Sequence, residues 1–268
     1  MSKQDAIGID MERHGSVMLL AFNRPERRNS LDMDSRRVFA QMVSDAVADD
    51  SVRAIVLTGR GGHFCAGGDI TSMGAGGLTA EAGRTRMRNT LKNVETLYTC
   101  DKPVIAAVEG CAFGGGFGLA LLADIVIASE TARFCMSFAK VGLLPDSASL
   151  YTLPRIVGVQ RAKALLMSAR EVRAQEALDL GIAMEVVPKE GALPRALEIA
   201  QALAKASPVA TAMTKTALNN SLSSDLRSMI EYEATAQGVA FSSDFHAAAV
   251  QDFLAKRPGS FQWPEART

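Results

Sequence analysis

Two turns in this sequence place glycine where backbone amides would be laid bare for chemistry. The first is Gly110-Cys111-Ala112-Phe113-Gly114-Gly115-Gly116-Phe117-Gly118, lying between apolar runs at 104–108 and 119–123. Glycine costs about 1 kcal/mol relative to alanine inside a helix, so three in a row need a local reason. A strand that runs through glycines into a helix N-terminus leaves N–H groups unpaired and aimed outward. Such groups bind an anion or hold a developing oxyanion. The second turn, Phe64-Cys65-Ala66-Gly67-Gly68-Asp69-Ile70, also follows a short apolar strand and would supply another donor to the same oxygen. Spacing alone leaves a second reading open, because glycine clusters also serve tight turns and close helix packing.

Other chemistries lack their residues. Gly114-Gly115-Gly116-Phe117-Gly118-Leu119 misses the last glycine of a dinucleotide fingerprint, and neither a phosphate-binding G-x-x-x-x-G-K-[ST] nor a G-x-S-x-G nucleophile elbow occurs. His14, His63 and His246 are far apart and lack metal-ligand spacing, so no metal is expected. Cys65, Cys100, Cys111 and Cys135 form no C-x-x-C pair, and scattered thiols suit a reducing compartment. The start, MSKQDAIGIDMERHG, has no apolar leader segment, and the run near 118–128 is interrupted by Asp124 and too short to cross a bilayer. The expectation is a cytoplasmic protein with no membrane partner. Lys plus Arg and Asp plus Glu both total 29, a balance that gives no electrostatic pull toward nucleic acid.

The elements that must hold these turns follow from the pattern. At 268 residues, 48% hydrophobic and 22% charged, the chain is globular and long enough for a sizeable core. Residues 7–22 read as two strands around His14-Gly15. A helix should open at Ser30-Leu31-Asp32 and run to Ala48, with Val38, Phe39, Met42, Val43 and Val47 at helical spacing. Short apolar strands are expected at 54–57, 104–108 and 124–128, helices at 84–98 and 116–122, and a mobile glycine-rich stretch between Thr71 and Gly83. From Ser149 onward helices dominate apart from a strand at 182–187, and 190–257 reads as entirely helical.

Together, NRPERRNSL at 23–31, FCAGGDI at 64–70, KPVIAAVEGCAFGGGFGLALLADI at 102–125, GLLPDSASLYTLPRIVG at 142–158 and A-x-E-A-L-D-L-G-I-A at 174–183 resemble the crotonase, or enoyl-CoA hydratase/isomerase, superfamily. The resemblance spans nearly the whole chain. It implies an α/β fold with a crotonase-like ββα spiral core over residues 1–200 and a helical C-terminal trimerisation region over 201–268. It also implies an acyl-CoA substrate, no separate cofactor because CoA is part of that substrate, and a homotrimer or dimer of trimers. By position, the two N–H groups that hold the thioester oxygen would be those of Ala66 and Gly115. Arg28 matches a basic position that contacts CoA phosphates in relatives. Gly67, Gly68, Asp69 and Ile70 match the backbone on which adenine and pantetheine lie, and Lys256 would reach the CoA of a neighbouring subunit.

Departures from the family pattern bear on the reaction. The two glutamates that activate water in hydratases fall on Gly118 and Phe138 here, and neither residue can do that work. One carboxylate remains, Asp146. On its residues alone it reads as a helix N-cap before Ser147-Ala148-Ser149, worth about 1 kcal/mol. By resemblance to dienoyl-CoA isomerases and phenylacetate-type ring-epoxide isomerases it becomes the single acid/base group. The same position is the nucleophile of 4-chlorobenzoyl-CoA dehalogenase, but the histidine those enzymes use is missing from 84–101. Phe138 would line a dry pocket, with Leu143 and Leu144 screening the carboxylate. The function implied is an enoyl-CoA isomerase. A hydratase-like lyase and a non-catalytic acyl-CoA-binding homologue are the alternatives.

Overall fold

The structure is a computed structural model that describes residues 8–72 and 79–265. Its N-terminal half runs β1 (Ile9–His14), β2 (Val17–Phe22), α1 (Met33–Ala48), β3 (Ala54–Gly59), α2 (Ala80–Thr99), β4 (Val104–Val108), β5 (Cys111–Phe113), α3 (Gly115–Ala120), β6 (Ile125–Ser129) and β7 (Arg133–Cys135). The remainder is α4 (Ser149–Val157), α5 (Val159–Ser168), β8 (Glu171–Arg173), α6 (Ala174–Asp179), β9 (Glu185–Val187), α7 (Ala192–Leu203), α8 (Pro208–Ser221), α9 (Leu226–Phe241) and α10 (Asp244–Leu254).

Strands β1-β2-β3-β4-β6-β9 form one sheet in that order, parallel except for the β1–β2 hairpin. Its central strands are apolar on both faces, as a sheet covered on both sides requires. Met18, Leu20, Phe22, Ile55, Leu57, Ala106 and Val108 point to one face, where Phe39, Met42 and Val43 of α1 and Leu97 of α2 cover them. Val17, Leu19, Ala54, Val56, Ile105 and Ala107 point to the other, against Ala192, Ala196, Ile199 and Ala200 of α7. Asp124, which breaks the apolar run, earns its place here. Its carboxylate accepts from Val104 N at 2.8 Å and pairs with Lys215 Nζ at 2.9 Å, fastening α8 to the sheet.

A second sheet, β5-β7-β8, was not expected from the sequence. It explains the spiral. Strands β4 and β6 of the large sheet are each followed by a short segment in the side layer and then a helix: β4–β5–α3 and β6–β7–α4. In the earlier units that segment shrinks to isolated bridges, Leu31 with Gly68 and Cys65 with Ala112. Segment 65–68 therefore lies between segment 28–31 and β5, which brings the two glycine turns side by side.

Two helix starts differ from expectation. Asp32 caps α1 by accepting from Ser35 N at 2.9 Å, so the helix opens after Ser30-Leu31. Thr79 caps α2 in the same way, which makes 80–83 helical where a mobile stretch was expected; residues 73–78 of that stretch lie outside the described residues. Residues of α9 and α10 are nowhere buried within the chain, and Leu226, Ile230, Phe241, Phe253 and Leu254 are exposed. Among the described residues no helix is long and apolar enough to cross a membrane.

Candidate active site

The glycine turns touch. Gly67 has φ +92°, in the left-handed region where glycine is favoured, and a methyl group placed on it would lie 2.7 Å from Phe113 O and 3.2 Å from Gly115 N. Gly115 is the first residue of α3, and its buried N–H has no partner among the described residues. The donor expected from the other turn does not hold. Ala66 N donates to Arg28 O at 2.9 Å and is occupied. The register supplies a different group. Leu31 N donates to Gly67 O at 2.8 Å and Asp69 N donates to Leu31 O at 3.0 Å, the alternation of a parallel bridge. In that alternation the intervening residue, Gly68, turns its own N–H away from Leu31, and no backbone acceptor among the described residues takes it. Gly68 and Gly115 thus carry the unpaired amides.

Asp146 stands next to Gly115. Its Oδ1 lies 3.2 Å from the point a Gly115 methyl group would occupy, and Ser147 Oγ donates to that same oxygen at 2.9 Å. It is not a helix cap. Ala148 holds the cap position of α4 in left-handed conformation, and no side chain caps the helix. Ser147 and Ala148 have φ +53° and +58°, a conformation that costs non-glycine residues about 1–3 kcal/mol each and persists where the surroundings hold it. Ser149 holds it here, donating from N at 3.0 Å and from Oγ at 2.6 Å to Asp146 O.

A cavity of about 30 Å³ is lined by Leu31, Arg36, Phe39, Gly67, Thr90, Val94, Gly115, Leu119 and Ser147, of which Gly115 and Ser147 are the residues next to Asp146 Oδ1. Phe138 is buried, and its ring tip lies 3.8 Å from a methyl group placed on Gly114. Leu143 and Leu144 do not screen the carboxylate as expected; they are 49% and 75% exposed. The arrangement offers two amide donors, one carboxylate and a small, largely apolar cavity.

A sequence profile described as enoyl-CoA hydratase/isomerase matches residues 12–264. The chain belongs to the enoyl-CoA hydratase/isomerase family. It is 35% identical over 247 residues to the 1,2-epoxyphenylacetyl-CoA isomerase of Escherichia coli (strain K12), covering 91% of this chain and 94% of that relative. It is 34% identical over 248 residues to the short-chain-enoyl-CoA hydratase of Clostridium acetobutylicum, covering 92% and 94%. The solved structure of an enoyl-CoA hydratase/isomerase from Cupriavidus metallidurans CH34 matches with a TM-score of 0.90 at 40% identity, over 97% of this chain and 98% of that one. The fold is the crotonase fold, and the chain is an acyl-CoA-processing member of the enoyl-CoA hydratase/isomerase family.

Within that family the two hydratase glutamate positions have other occupants here. A methyl group on Gly118 would lie 2.6 Å from Ser147 Cβ and 2.8 Å from Ser149 Oγ, so the Asp146 turn fills the space a side chain would need. Phe138 fills the other. Arg28 is exposed, and its charge, with that of Arg133, reinforces burial in holding the His63 imidazole below its ordinary pKa. Asp69 is buried, and its carboxylate is taken by Thr71 Oγ1 at 2.6 Å, Arg27 at 3.3 Å and Arg24 at 3.6 Å. It braces the turn, while Ile70 beside it is 64% exposed. Lys256 follows α10, exposed, and no hydrogen bond or ion pair joins it to either glycine turn. Sequence reasoning gave Gly68 to the CoA moiety and not to the donor pair, and it missed Ser147 and Asn29. The buried Asn29 side chain donates to Arg60 O and His63 O at 2.9 and 2.6 Å and accepts from Arg24 N at 2.8 Å, tying the 24–31 segment to the 60–64 loop. Among the described residues no group of three or more His, Cys, Asp or Glu side chains could hold a metal ion.

Cys65 sits inside the second turn but is no nucleophile. Burial pushes its thiol up to about 12, although Gly67 N–H bonding to the sulfur works the other way. Iodoacetamide at about pH 8 is therefore expected to leave Cys65 unmodified in the folded chain and to label it in urea, as read by peptide mass spectrometry. Labelling at native-state rates matching those in urea would contradict this.

Proposed function

We propose that this protein isomerises acyl-CoA thioesters, moving a double bond or opening a strained ring, with Asp146 as its one acid/base group and the Gly68 and Gly115 amides as the oxyanion donors. One observation carries the reading. Asp146 reaches over Gly115, and the turn that puts it there fills the space at Gly118. The site has room for one carboxylate at that end and, among the described residues, offers no second one at the Gly118 or Phe138 position to position water.

The chemistry follows from that. Removing a proton next to a thioester, or from the vinylogous carbon, places negative charge on the carbonyl oxygen. Donors fixed in advance toward that oxygen contribute about 2.7–4 kcal/mol each. Asp146 takes the proton as the carbon–hydrogen bond breaks and the enolate forms. The resulting carboxylic acid returns the same proton to another carbon as the enolate collapses. Proton and charge balance without a water molecule. Ser147 Oγ, bonded to Oδ1, fixes the orientation of the carboxylate through both steps. The buried Phe138 ring excludes water from the neighbouring wall. Arg28 and the backbone of Gly67, Gly68, Asp69 and Ile70 would take the CoA moiety, and Lys256 would do so from a second subunit.

The test is a panel of 3-enoyl, 2-enoyl and aromatic CoA thioesters followed by absorbance and mass spectrometry. The expected result is conversion of a 3-enoyl-CoA to its conjugated isomer at unchanged mass. Faster addition of one water to crotonyl-CoA would favour a hydratase. Binding without turnover of any member would favour a non-catalytic acyl-CoA-binding role.

A further inference from the structure

Arg36 occupies a position on α1 that usually goes to an apolar residue. It precedes Phe39 by one helical turn and Val43 by two, on the stripe that faces the core. It is half-buried and lines the same cavity as Leu31, Val94, Gly115 and Leu119. The arginines around it are paired: Arg24 with Asp32, Arg27 with Asp69 and Arg37 with Asp34. No carboxylate of the described residues lies within ion-pair distance of Arg36. Residues 73–78, outside the described residues, read Met-Gly-Ala-Gly-Gly-Leu and contain no acid. A half-buried guanidinium beside leucine, valine and phenylalanine loses part of its hydration and, among the described residues, gains no ion-pair partner. Such a half-buried cation keeps water on its open side and presents a face to the cavity that an anionic group of a ligand can take. A carboxylate fits best, because the planar fork of arginine matches it through two charge-assisted hydrogen bonds.

We infer that Arg36 selects acyl-CoA substrates whose acyl group ends in a carboxylate, held as an ion pair within the cavity beside Gly115. The inference rests on the proposal that this cavity receives the acyl group. It places the enzyme downstream of reactions that produce dicarboxylic acyl-CoA thioesters.

Saturated ligands test the selection apart from the chemistry. Adipyl-CoA against hexanoyl-CoA, and succinyl-CoA against butyryl-CoA, differ only in the terminal carboxylate and share the same CoA. In titration calorimetry the carboxylated member of at least one pair should bind about tenfold tighter to the wild-type chain. That ratio should fall to near unity in Arg36→Met, which keeps the methylenes, and recover in part in Arg36→Lys. Equal or weaker binding of both carboxylated ligands to the wild type overturns the inference, and this comparison stands even if Arg36→Met fails to fold. So does a preference that Arg36→Met leaves intact. Binding of hexanoyl-CoA and butyryl-CoA without any preference sinks the selection alone. If none of the four ligands binds, the acyl-CoA reading of the cavity falls with it.

Discussion

Replacing Asp146 by asparagine should lower kcat for a 3-enoyl-CoA by about 10²–10⁴-fold, the range general acid–base groups contribute. The change is isosteric, and the amide oxygen can still accept from Ser147 Oγ, so the turn and the cavity persist. What disappears is the one carboxylate that, among the described residues, lies against Gly115. KM should move little, because in the proposed mode of binding the thioester oxygen and the CoA moiety would meet backbone and Arg28 and not this carboxylate. Initial rates from the absorbance of the conjugated product, with thermal midpoints confirming an unchanged fold, decide the matter. Turnover within a few-fold of wild type would remove Asp146 from the mechanism and leave it a structural residue of its turn.

Gly118→Glu, which places a glutamate where hydratases of the family carry one, is expected to abolish isomerisation without creating hydration. A side chain at 118 must begin 2.6 Å from Ser147 Cβ and 3.1 Å from Ser147 O. The carbonyl cannot retreat without moving the left-handed pair Ser147 and Ala148, and with it the Asp146 carboxylate. Overpacking of this kind costs about 1–3 kcal/mol where side chains can give way, and backbone on the receiving side puts this case at the upper end. Urea midpoints should fall accordingly, and crotonyl-CoA should remain unhydrated. A variant of wild-type stability that adds water to crotonyl-CoA would show that the turn yields and that the two machineries are interchangeable.

The large sheet was legible because its strands are buried on both faces and read as unbroken apolar runs. Strands β5, β7 and β8 were not, since three residues such as Cys111–Phe113 carry too little periodicity to register. The same blind spot caused the misplaced donor. Choosing between Ala66 and Gly68 requires knowing that 65–68 pairs with 28–31 on one side, and a single-residue bridge leaves no pattern in sequence. Gly115 was readable because a helix start frees its amide whatever surrounds it. Asp146 looked like a cap because the helix seemed to begin right after it; the left-handed pair at 147–148 delays that start and frees the carboxylate. Arg36 gave no sign, since one charge on an apolar stripe reads as an exposed residue until the cavity is seen.

The single-residue bridges that join Leu31 to Gly68 and Cys65 to Ala112 also govern when the enzyme comes alive. Helices α9 and α10 pack on the helices next to them in sequence, whereas the amide pair exists only after three distant stretches have been threaded into adjacency and their loop-closure entropy overcome. Competence is thus a late event in folding. A chain arrested before those stretches dock would contain every reactive group and possess no catalyst.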